Sequence, residues 1–281
     1  MWDVNEEVFD NFLKTQGDLT DLSKDCLVIE HDGNIKGFAL LLKCSKFKNW
    51  WLVLKVVSEL FPTEYSVKIF EKIMEIALKQ DPKEIKFSLT NRLFVNSPLE
   101  TKFNEMGLTP VQYEFWMELE DFSLLPKPNM PLGITFQKLK ELKDFYTYVD
   151  ILNDAFSKAF DSEVFTPEDY KSIIDVNWKK FDVEYFFAKE NNKPIGFCTV
   201  MTKPPIYDRG VIMTLAVYHS HHKKGIGSYL LGLGIKTLIE KGCRIIELGV
   251  DGENTHALAL YKRFGFKEVE SQTLIDFVYS P

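Results

Sequence analysis

Residues 217–228 read Val-Tyr-His-Ser-His-His-Lys-Lys-Gly-Ile-Gly-Ser, a run whose residue types suit the holding of a phosphate. An apolar segment, Val211–Val217, stops at a polar, basic elbow. Gly225 and Gly227 follow, and an apolar helical pattern then runs over Ser228–Lys241. The first amides of a helix lack internal partners, and the helix dipole adds partial positive charge there. Glycine lets the backbone turn sharply and approach a ligand closely. Lys223 and Lys224 add charge at the rim. A dinucleotide fingerprint needs a third glycine at G-x-G-x-x-G, and a P-loop needs Lys-Ser or Lys-Thr after its second glycine. Ser228-Tyr229-Leu230 supplies neither. A plain turn, with glycines only relieving strain, remains open at this point. His219, His221 and His222 invite a metal reading. Their loop holds no acid and no cysteine, so loop residues are the expectation and no metal is assigned.

A strand pattern, Arg244–Val250, follows the helix, and then comes Asp251–Glu270, DGENTHALALYKRFGFKEVE. Asn254, Ala257, Tyr261, Gly265 and Phe266 stand at the spacing N-x-x-A-x-x-x-Y-x-x-x-G-F. Together with the Gly225/Gly227 loop, this block resembles the Gcn5-related N-acetyltransferase (GNAT) family, over about residues 132–281. The family's loop carries Gln or Arg where this chain has His222.

The resemblance implies acyl transfer from acetyl-coenzyme A, a co-substrate, to a primary amine by direct attack in a ternary complex. The expected pyrophosphate cradle is His222, Lys223, Lys224, Gly225, Ile226, Gly227 and Ser228. The strand end Leu215, Ala216 and Val217 is expected to part from its neighbour and pair its backbone with the cofactor's arm. Asn254 and Ala257 are expected near that arm, Asn254 also serving as a helix cap. Tyr261 is the candidate proton donor to the leaving thiolate, since a phenol of pKa about 10 is protonated at neutral pH; the alternative is a core tyrosine. Glu247 is the candidate general base; the alternative is a solvated glutamate.

Composition sets the frame. The chain has 281 residues, 45% hydrophobic and 27% charged, with net charge −7. Residues 1–130 carry 15 Lys/Arg and 21 Asp/Glu, hence −6, and the remainder 19 and 20, hence −1. Neither half is basic, which argues against nucleic-acid binding. No apolar run reaches the roughly 18 residues of a membrane span, and the acidic start MWDVNEEVFD is unlike a signal sequence. A cytoplasmic protein, monomer or homodimer, is expected. Cys26, Cys44, Cys198 and Cys243 form no close pair, so free thiols are expected.

The chain also reads as one fold written twice. Gly33–Leu42 echoes Asn191–Val200, and Asn96–Leu108 echoes Asn254–Phe266, at offsets of about 158–159 residues. Opposite the glycine loop the first copy has Pro62–Lys68, without glycine. Opposite Tyr261 it has Phe103. The expected fold class is mixed α+β: two tandem GNAT-like domains, each a mostly antiparallel sheet flanked by helices. Residues 1–125 are expected to form a degenerate, truncated copy and residues 132–281 a complete one. Three prolines within Phe122–Gly133 mark a stiff connector, its linker at 126–131.

In the second copy, strands are expected at 133–139, 183–189, 195–203, 211–217, 244–250 and 274–279, and helices at 143–159, 166–178, 227–241 and 254–264. The acceptor is expected near Phe156, Phe160, Phe165, Tyr170 and Trp178, with Asp161 and Glu163 as acids; core packing is the plainer reading of the aromatics. Gly232 and Gly234 sit inside a helix for no reason legible in the sequence. Two rivals stay open: a coenzyme A-binding module without turnover, and an interaction scaffold.

Overall fold

A computed structural model describes residues 19–43, 50–56, 64–90, 96–139, 142–158, 164–168, 170–171, 181–203 and 206–280. Cys44, Phe160, Asp161, Glu163 and Trp178 lie outside them. The chain forms two compact units, Met1–Phe115 with Glu270–Pro281, and Trp116–Val269.

The first unit opens with α1 (Leu22–Asp25) and the hairpin β1 (Cys26–His31) and β2 (Asn34–Lys43). The hairpin turns through Asp32 and Gly33, both at positive φ, the backbone that suits right-twisted strands. β3 (Trp50–Val56) pairs antiparallel with β2, and β4 (Ile85–Thr90) parallel with β3. A parallel step needs a crossover, and α2 (Glu64–Leu78) supplies it. α3 (Pro98–Glu105) starts at Ser97, whose hydroxyl accepts from the Glu100 amide, with Pro98 in its first turn. β5 (Pro110–Leu119) follows.

The strand Leu274–Tyr279, numbered β12 because it is the last of the chain, corrects one expectation. It does not close the second copy. It lies antiparallel between β4 and the start of β5, with Phe277 opposite Phe87 and Leu274 opposite Glu114. The reason is burial: Phe277 is fully buried, stacked on Phe87 at 5.3 Å and edge-on to Phe103 at 4.9 Å. Placing such a ring in a core is worth roughly 1.5–3 kcal/mol.

The second unit contains β6 (Ile134–Leu139), α4 (Phe145–Phe156), β7 (Asp182–Glu190), β8 (Lys193–Lys203), β9 (Ile206–Val217), α5 (Ile226–Glu240), β10 (Ile245–Asp251), α6 (Thr255–Arg263) and β11 (Lys267–Glu268). β6 to β9 pair antiparallel in sequence order, and β10 is parallel to β9. β11 pairs with Met117 and Glu118 of β5. The β7–β8 turn is tighter than expected: Asn191 and Asn192 make it alone, both at positive φ. Residues 167, 168, 170 and 171 are helical, within the expected second helix.

Helices cover both faces of this sheet. Tyr148 of α4 stacks on Phe197 at 3.9 Å and bonds Thr199 at 3.1 Å and Tyr170 at 3.0 Å. α5 covers the opposite face, and here Gly234 finds its explanation. A Cβ on Gly234 would lie 3.0 Å from Val200, 3.1 Å from Cys198 and 3.2 Å from Ile212. A Cβ on Gly232 would lie 3.3 Å from Pro128. The expected linker at 126–131 falls inside the second compact unit.

Gly196 on β8 is tighter still: a Cβ there would sit 2.8 Å from the Ala216 carbonyl and 2.9 Å from Val217 Cγ2. We expect Gly196→Ala to cost about 1–3 kcal/mol by overpacking, read as a lower Tm and a displaced end of β9. An unchanged Tm would show that β9 yields freely at that point. Among the described residues no helix is long and apolar enough to cross a membrane.

Candidate active site

β9 and β10 part company. Their register runs Ile245↔Arg209, Ile246↔Gly210 and Glu247↔Val211 and stops there, although β9 continues to Val217 and β10 to Asp251. The cause is a bulge in β9. Thr199 faces Thr214 while Val200 faces Ile212, so Met213 is an extra residue. A bulge bends its strand and shifts the side-chain alternation by one. Before it, Gly210 and Ile212 face α5. After it, Ala216 packs with Tyr148 of α4.

At the end of β9 the chain turns through His219–His221 and enters α5. Gly225 is the N-cap, at φ +79, with no side-chain cap bond. Lys223 also has positive φ, at 62, a conformation that costs a non-glycine residue roughly 1–2 kcal/mol. Among the described residues, the amides of Lys223, Lys224, Gly225, Ile226, Gly227 and Ser228 have no hydrogen-bond partner; the first to bond is Tyr229, to the Gly225 carbonyl. Six successive open donors at a helix N-terminus make an anion site on physical grounds.

The loop is braced from α4. The Asp154 carboxylate accepts from the His219 amide at 2.7 Å and lies 3.1 Å from its ring. The amide bond, more than the imidazole, holds the Asp154 carboxyl below its ordinary pKa. Tyr218 donates to Asp150, and His221 meets Glu190 at 3.2 Å. The acids absent from the loop thus arrive from α4 and β7. Among the described residues no group of three or more His, Cys, Asp or Glu could hold a metal ion.

His222 stands differently from the expectation. Its Nε2 donates to the Val217 carbonyl at 2.9 Å, and its ring stacks on His219 at 4.9 Å. The side chain pins the loop to the strand end instead of extending forward, and it occupies a carbonyl counted on for the cofactor's arm. Leu215 and Ala216 remain at the opened edge of β9.

α6 lies over the loop. Asn254 caps it, accepting from the Ala257 amide at 3.1 Å. Tyr261, one turn beyond Ala257, is buried, edge-on to Phe266 at 5.9 Å and close to Cys198. Burial raises its phenol pKa, with the nearby Cys198 adding to the rise, so at neutral pH it is protonated and has a proton to donate. Its hydroxyl makes no hydrogen bond to another described residue.

Glu247 sits at the last paired position before the strands separate. It is 13% exposed and paired with Arg209, which also meets Glu118 at 2.9 Å. Burial is the main cause that lifts the Glu247 carboxyl above the ordinary carboxylate pKa; Arg209 opposes it and Glu118 adds to it. Motif reading missed Arg209 and Glu118, which carry no spacing signal. It also missed Arg263, which donates to Ser228 at 2.5 Å and sets a guanidinium beside the open amides. The basic pair Lys262-Arg263 at the end of α6 was the available clue. Of the expected acceptor wall, Tyr170 is buried and bonded to Tyr148, Phe165 packs on Tyr170, and Phe156 is 39% exposed.

A mixed α/β sheet with helices on both faces, a bulged strand parting from its parallel neighbour, and open amides at the next helix define the GNAT fold. Residues 145–266 match the model of the Acetyltransferase (GNAT) family. A GCN5-related N-acetyltransferase from Sphaerobacter thermophilus aligns with TM-score 0.72 over 92% of this chain and 82% of its own, at 18% identity. A tandem GNAT protein from the clavulanic acid biosynthesis pathway aligns with TM-score 0.73 over 97% and 87%, at 12% identity. These two likenesses concern the fold. In sequence, the chain is 25% identical over 183 residues to a mycothiol acetyltransferase of Tsukamurella paurometabola, covering 62% of each chain. It is 28% identical over 189 residues to that of Paenarthrobacter aurescens, covering 65% of this chain and 56% of the relative. The chain thus spans somewhat over half the length of these curated relatives. The family model supports the GNAT superfamily over residues 145–266, and the structural neighbours support the fold.

Proposed function

We propose that the chain is an acyl-coenzyme A-dependent N-acetyltransferase. The observation that carries this reading is the parting of β9 and β10 beside six open amides. The amides of Lys223–Ser228 hold the diphosphate, with Arg263 at their side. The freed edge at Leu215 and Ala216 pairs with the cofactor's amide-bearing arm, as an added strand would. That arm sets the thioester in the cleft. A neutral primary amine attacks the thioester carbon, forming C–N as C–S breaks. The amine's surplus proton leaves to Glu247, directly or through water, and the departing thiolate takes the Tyr261 proton. Residues 1–125 act as a copy without turnover: Phe103 stands where Tyr261 does, and the first copy has no glycine opposite Gly225.

The test has two stages. Thermal shifts with acetyl-, succinyl- and longer acyl-coenzyme A come first. Thiol release with a panel of amines follows, including aminosugars, polyamines, aromatic amines and, because of the relatives' name, a mycothiol precursor. A shift with acetyl-coenzyme A and amine-dependent thiol release are expected; no shift at millimolar ligand would end the reading. The rival, a coenzyme A-binding module without turnover, draws on Glu247 being engaged by Arg209. It predicts the thermal shift with no amine-dependent release.

A further inference from the structure

One guanidinium serves two carboxylates beside the cleft. Arg209 Nη1 contacts Glu118 Oε1 at 2.9 Å and also meets Glu247 Oε1. Both carboxylates are mostly buried, at 15% and 13% exposure, while Arg209 is 47% exposed. The three come from three strands: Glu118 from β5, Arg209 from β9 and Glu247 from β10. These are the charged groups that face Glu247. With both acids ionised the trio carries one net negative charge.

That surplus has a chemical consequence. A carboxylate paired one-to-one with arginine is held ionised, and its pKa falls by roughly 1–3 units. Such a carboxylate is a poor proton acceptor near neutral pH. A second carboxylate on the same guanidinium divides the attraction and repels the first. We propose that Glu118 is a positioning residue for Glu247: by sharing Arg209 it keeps the guanidinium from neutralising Glu247 alone, so that Glu247 can accept the amine's proton. This rests on the reading of Glu247 as the base given above.

The direct readout needs no acceptor. The full chain is labelled with carboxyl-13C glutamate, and the Glu247 signal is identified by its loss in Glu247→Gln. The Glu247 midpoint should fall by about one pH unit in Glu118→Gln and rise by a similar amount in Arg209→Gln. Glu118→Asp, whose carboxylate is drawn back by one methylene, should shift it downward by less. A merely structural Glu118 would move Tm without opposite shifts in the two variants. An unchanged or raised midpoint in Glu118→Gln overturns the proposal; should that variant not fold, the same result in Glu118→Asp does so. In turnover, the acid limb of kcat/KM should follow the NMR midpoints, with the most active amine of the panel as probe. Failure of the underlying reading looks different: Glu247→Gln would then leave thiol release untouched, whatever the midpoints do.

Discussion

Replacing Tyr261 by phenylalanine is expected to lower kcat by about 10²-fold or more while acetyl-coenzyme A binding and Tm hold. The phenol is buried and protonated, and its hydroxyl has no partner among the described residues that the mutation would orphan. Removing such a group sacrifices no internal hydrogen bond, so little stability is at stake. Phe103, which the sequence repeat sets against Tyr261, is fully buried against Phe70, Phe87 and Phe277. The measurement is steady-state thiol release beside a binding isotherm. Loss of turnover with binding intact assigns the proton to Tyr261; unchanged turnover removes Tyr261 from the chemistry.

The second large effect is expected at Gly227. A Cβ at this position meets only Leu260 Cδ2, at 3.9 Å, so the fold tolerates a side chain. The first turn of α5 holds no acid, and a glutamate there interacts favourably with the helix dipole, by about 0.3–1 kcal/mol. Gly227→Glu should thus keep or slightly raise Tm. The same carboxylate would compete for the open amides and repel a diphosphate. Acetyl-coenzyme A should bind at least about 100-fold more weakly, a loss of about 2.7 kcal/mol. Calorimetric titration paired with a thermal melt reads both quantities. Opposite signs for stability and binding place the ligand at this helix start. Equal affinity for wild type and variant would place it elsewhere.

Deleting residues 1–125 would carry a structural cost. It would remove β4, the strand on which β12 pairs, and would leave Phe277 without Phe87 and Phe103. It would also remove Glu118 from Arg209. Point substitutions, which leave both units whole, are the cleaner probes.

Local chemistry was legible from residues alone. Glycines at 225 and 227 after an apolar run announced a strand, a turn and a helix, because backbone freedom and apolar period are properties of neighbouring residues. The spacing from Asn254 to Phe266 likewise marked a capped helix with Tyr261 on its inner side. Tertiary structure alone decided four things: the bulge at Met213, the turning of His222 onto Val217, the seating of Leu274–Tyr279 beside β4, and the meeting of Arg209 with Glu118 and Glu247. A strand's alternation names the face it buries but never the strand it pairs with, since every backbone offers the same donors and acceptors. Arg209 meets its two acids across 91 and 38 residues of chain. No spacing rule spans such distances; only the register of packed strands sets them.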